Sequence, residues 1–65
     1  MQLDVAKIQE QVAARGWTLT KLAEEAGLSR QMVSAIVSRG TCSIKNAGKL
    51  ATALGIEFRQ ISREG

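Results

Sequence analysis

Four glycines divide this chain. Gly16, Gly27, Gly40 and Gly55 each close a run of apolar residues spaced three and four apart, and no proline interrupts any of those runs. A helix commonly ends on a residue in the left-handed conformation, which glycine adopts without steric cost, so this punctuation specifies four main helices. The first begins at Asp4 as N-cap and runs to about Arg15, with Val5, Ile8 and Val12 inward. The second follows Thr18 and turns Leu19, Leu22, Ala23 and Ala26 inward; the third follows Ser29 with Met32, Val33, Ile36 and Val37. The fourth follows Ser43 with Ile44, Ala47, Leu50, Ala51 and Leu54, and Glu57 to Ser62 form one short closing helix. Trp17 with Leu22, and Leu28 with Val33, occupy hydrophobic-staple positions around the second and third N-caps, and neither helix has the Glu or Gln of a full capping box.

Sixty-five residues suffice for one domain, residues 1–65, with a thin core, since a chain of this size buries only about 60% of its unfolded surface. Ala, Leu, Ile and Val supply most of the apolar residues, which favours an all-α fold over a sheet. No apolar run approaches a membrane span and no secretory leader pattern opens the chain, so a cytoplasmic protein is expected. The single cysteine, Cys42, has no partner for an internal disulfide and reads as a small structural residue. With no histidine, a zinc site lacks its usual ligands. Catalysis is not expected either, because paired carboxylates beside a nucleophile and a phosphate-cradling glycine loop are both missing from the sequence.

The net charge of +3 is unevenly placed. Between Glu25 and Glu57 there is no acidic residue, while Arg30, Arg39, Lys45 and Lys49 fall inside that interval. Such an asymmetry is the footprint of a surface that meets phosphates, set against the plainer reading of a solvated helix face.

Ala23, Gly27, Val33 and Ile36 have the spacing of a helix-turn-helix: a small residue where two helices touch, a glycine in the turn, and two apolar residues holding the second helix down. Together with "RGWT", "LAEEAGLS", "SRG" and "AGKLATALGI", they make nearly the whole chain resemble the Cro and phage-repressor (XRE-like) type of helix-turn-helix domain. The resemblance implies a compact bundle of four to five helices whose third helix enters the major groove of double-stranded DNA, N-terminal end first. It implies a sequence-specific transcriptional regulator similar to the compact repressors of phages and mobile elements, without a separate effector domain, cofactor or small-molecule substrate. Homodimerisation through Ile56, Phe58 and Ile61 is one use of the tail, and closing the core is the other.

On that reading Arg30, Gln31, Ser34 and Ala35 contact bases: Gln pairs with adenine and Arg with guanine in bidentate fashion, and Ala touches a thymine methyl. Phosphates are met at helix N-termini by Thr18, Thr20 and Lys21, by Ser29, and by Thr41, Ser43, Lys45 and Asn46, with Arg39 and Lys49 adding attraction. Two departures stand out. Leu19 replaces a glutamine that the family often places after the second N-cap, and Val12 and Val37 replace an arginine and a glutamate that pair in many relatives, so the valines are expected to meet in the core. Gly48, inside the fourth helix, is expected to allow close helix packing. The competing function is a protein-interaction module, such as an antitoxin-like helical domain, which would expose a contiguous apolar patch.

Overall fold

Every one of the four long helices starts where a short polar side chain supplies the cap. The computed structural model describes residues 1–63 and contains α1 (Val5–Ala14), α2 (Leu19–Ala26), α3 (Arg30–Arg39), α4 (Ile44–Leu54) and α5 (Phe58–Ile61). Residues 64 and 65 of the expected domain lie outside the described residues. At α1 the Asp4 carboxylate accepts the Lys7 amide at 3.0 Å, and Ser29 accepts from Met32 at 3.0 Å at α3. Thr18 accepts from Lys21 and Ser43 from Asn46, both at 3.2 Å, at α2 and α4. Each bond satisfies one of the amides that a helix start leaves without a partner. The short α5 starts at Glu57, whose amide donates to the Gln60 side chain at 3.2 Å, the half of a capping box that the first four helices lack.

The helix ends show why glycine is needed. Gly16, Gly27, Gly40 and Gly55 have φ of 69°, 71°, 75° and 67°. After α1, α2 and α4 the same pair of bonds closes the turn. Trp17, Leu28 and Ile56 donate five residues back to the carbonyls of Val12, Ala23 and Ala51, and the glycines donate three residues back. This is the Schellman arrangement, in which the residue after the glycine packs back onto the helix it leaves. Trp17, Leu28 and Ile56 accordingly lie half-buried against the core.

Helix α3 ends differently. Gly40 makes a single bond to the Ile36 carbonyl, and the chain leaves in an extended direction. There it meets the N-terminus. Residues 1–4 run antiparallel between the loop after α3 and the segment after α5, with Leu3 donating to Gly40 at 2.8 Å and Cys42 to Met1 at 3.1 Å. On the other side Arg63 donates to Gln2 at 3.1 Å and Asp4 to Ile61 at 2.7 Å. This short backbone ladder is not anticipated by the sequence, and it buries Leu3 as a core residue.

The core is otherwise the expected one: Ile8, Val12, Leu22, Ala23, Ala26, Val33, Ile36, Ala47, Leu50, Ala51 and Leu54 are buried, joined by Leu3 and Ile61. Helix α2 packs against both α3 and α4, and α5 packs against α4 and α1. Val12 is buried and Val37 half-buried against the same cluster. Three expectations need correction. Met32 is 44% exposed, because one residue along a helix turns it about 100° from Val33 and off the stripe that α2 covers. Ile44 is 71% exposed: it continues the inward stripe of α4 but precedes Ala47 by almost a turn, beyond the packed core. Gly48 is not required for packing, since a Cβ built there meets no atom within 4 Å. Of the tail residues, Ile61 closes the core, Ile56 packs half-buried against it and Phe58 stays 38% exposed.

Candidate nucleic-acid interface

The turn between α2 and α3 is three residues, Gly27, Leu28 and Ser29, two of which are fixed by packing and capping. With its angle so determined, α3 presents one side to α2 and the other to solvent. Val33 and Ile36 point inward; Gln31 and Ser34 are exposed and Ala35 is half-buried on the opposite side. Ser38, seven residues from Gln31 and four from Ser34, continues this face and is also exposed. The helical period alone is sufficient to find it, one turn beyond Ser34 and Ala35. Arg30 projects from the first residue of the helix. Among the described residues, Arg30, Gln31, Ser34 and Ser38 make no side-chain hydrogen bond or ion pair, so their donors and acceptors face water.

The candidate phosphate contacts occur where helices begin. Thr18, Ser29 and Ser43 are exposed caps that accept one amide each, and a hydroxyl accepting on its lone pair keeps its own O–H to donate. The amides of the first two residues of each helix remain open next to them, at Leu19 and Thr20, Arg30 and Gln31, and Ile44 and Lys45. Thr20, Thr41, Lys45 and Lys49 are exposed, and Asn46 is half-buried. Lys21 is not free: its ammonium lies 3.3 Å from the Glu25 carboxylate, one turn on and similarly exposed. A solvent-exposed pair of this kind contributes only a few tenths of a kcal/mol, so it holds the Lys21 ammonium only weakly.

Arg39 stands in the last turn of α3, where a cation complements the helix dipole. It shares with Thr41, Asp4 and Arg63 the walls of an open cleft of about 310 Å³ beside the N-terminal ladder. Arg63 is thus brought next to two expected phosphate contacts by backbone pairing across the whole chain, which no local spacing signals.

Two features are not part of this surface. Arg15 closes the far end of α4, donating to the Leu54 carbonyl and lying 5.7 Å over the Trp17 ring. Cys42 is half-buried; burial pushes its thiol up, partly offset by the Met1 ammonium, so it stays protonated at neutral pH. Among the described residues, no group of three or more His, Cys, Asp or Glu is placed to hold a metal ion, and no helix is long and apolar enough to cross a membrane.

A helix-turn-helix family model matches residues 8–61, from the first turn of α1 to the end of α5. Neither a curated protein nor a solved structure matches the chain.

Proposed function

Since the chain belongs to the helix-turn-helix family of the Cro and phage-repressor type, whose members are DNA-binding regulators, we propose that it is a sequence-specific repressor that reads double-stranded DNA with α3 in the major groove. The observation that carries this reading is the solvent side of α3. Arg30, Gln31 and Ser34 are exposed there without intramolecular partners, on a helix that lies in the acid-free interval from Glu25 to Glu57. Gln31 makes the directional base contact, Arg30 and Ser34 add hydrogen bonds, and Ala35 touches a thymine methyl. Thr18, Thr20, Lys21, Ser29, Arg39, Thr41, Ser43, Lys45 and Asn46 fix the register by holding phosphates. The protein acts in the cytoplasm without cofactor or substrate.

A homodimer suits this function, because two copies of α3 then span half-sites about 34 Å apart. Phe58, 38% exposed on α5, is the apolar residue of the tail that is left for such a contact. The interaction-module alternative is less well supported: the large exposed apolar residues, Met32, Ile44 and Phe58, fall on three different helices.

Selection of bound sequences from a random duplex pool, followed by Gln31→Ala, tests the reading. The variant should lose about 1 to 3 kcal/mol on the selected site and relax the base choice at one position per half-site. Equal weakening on selected and random duplexes, with base preference unchanged, would overturn it.

A further inference from the structure

A lone exposed methionine calls for no explanation on an ordinary surface. Met32, however, is in the first turn of α3, 44% exposed, between Gln31 and the buried Val33. It is outside the core cluster, so the fold gains little from it. Ala35, half-buried, lies three residues on from Met32 and four from Gln31, so the three form one continuous strip on the solvent side. One edge of the strip is apolar, Met32 and Ala35, and Gln31 is its polar head.

We propose that Met32 recognises a C5-methyl group on a pyrimidine beside the base pair contacted by Gln31, with Ala35 as the floor of that contact; the inference rests on the DNA-binding reading above. The chemistry is selective. In the major groove the apolar group that an unmodified base pair presents is the C5-methyl of thymine. A methyl group on C5 of cytosine stands at the same place, so the same strip also distinguishes methylated from unmodified cytosine. Methionine suits the task, since its unbranched thioether adapts to a small apolar partner without demanding one rotamer. The two sources of the methyl group, thymine and 5-methylcytosine, share this chemistry and are separated by the probes below.

The test uses the whole chain and its selected duplex. Each thymine of the site is replaced in turn by deoxyuridine, which lacks only the methyl group. One replacement per half-site should weaken binding about fourfold, the value of burying one methyl-sized apolar group. Met32→Ala should abolish that difference, Met32→Leu should retain most of it, and Gln31→Ala should leave it in place. At the same position 5-methylcytosine should bind about fourfold tighter than cytosine to the unmodified protein and equally to Met32→Ala. Thymine and deoxyuridine binding alike at every position, or an undiminished difference in Met32→Ala, overturns the inference while sequence-selective binding stands. A loss in Met32→Ala that is the same on both duplexes assigns Met32 to the fold or to a protein contact and overturns it too. Failure to select any duplex removes the DNA-binding reading, and this inference with it.

Discussion

The Leu3 amide donates to the Gly40 carbonyl at 2.8 Å, joining the chain's first residues to the cap that ends α3. The side chain of Leu3 is 2% exposed, so the same residue anchors the ladder by its backbone and the core by its leucyl group. Leu3→Ala should therefore cost about 2 to 5 kcal/mol, the usual range for a buried leucine. In a domain this small that is a large share of the total stability. Urea denaturation followed by circular dichroism measures it, and a loss below about 1 kcal/mol would show that the N-terminal ladder is not part of the cooperative fold.

The two kinds of glycine should respond to alanine with opposite signs. At Gly48 a Cβ meets nothing within 4 Å and the backbone is already helical, so Gly48→Ala should stabilise by about 1 kcal/mol and raise Tm by about 4 to 8 °C. At Gly27, with φ of 71°, a Cβ also meets open space, but an L-residue resists that conformation. Gly27→Ala should destabilise by about 1 kcal/mol. Thermal melts of the two variants against the parent decide both signs.

These contrasts also explain what the sequence discloses. Thr18, Ser29 and the glycines announce the helix boundaries because capping is local: donor and acceptor lie within three to five residues of each other. The solvent face of α3 is legible for the same reason, since its period follows once its first residue is known. The pairing of residues 1–4 with 40–42 and 61–63 is not legible, because its bonds are made by backbone atoms brought together by the fold. Met32 and Ile44 mislead for a third reason. Periodicity gives the direction of a side chain but not how wide a stripe the neighbouring helix covers or how far along it reaches, so Met32 is left bare at the flank of α3 and Ile44 at the start of α4.

Glu25 holds the ammonium of Lys21 at 3.3 Å, which makes it a built-in competitor for the phosphate that Lys21 is proposed to meet. Glu25→Gln removes one negative charge and frees that cation. Duplex affinity should rise two- to fivefold at low salt, the gain shrinking as salt screens it, while stability changes by no more than about 0.5 kcal/mol. Fluorescence anisotropy at two salt concentrations measures the effect. Unchanged affinity at low salt would remove Lys21 from the contact surface.

The sharpest distinction lies between attraction and reading, and Lys45 tests it. Lys45 is exposed in the first turn of α4, next to the Ser43 cap and to amides without helical partners. If its ammonium neutralises a phosphate, binding releases a counterion there, and log Kd against log salt carries a contribution of about 0.9 from that one contact. Lys45→Ala should reduce the slope by about that amount and weaken selected and random duplexes alike, because a phosphate is the same beside every base. The variant has no reason to unfold, since the Lys45 side chain takes part in no hydrogen bond or ion pair among the described residues. Titrations from about 50 to 200 mM salt give both the slope and the sequence dependence. An unchanged slope would place the start of α4 away from the DNA, and a change in base preference would mean that Lys45 reaches a base edge rather than the backbone.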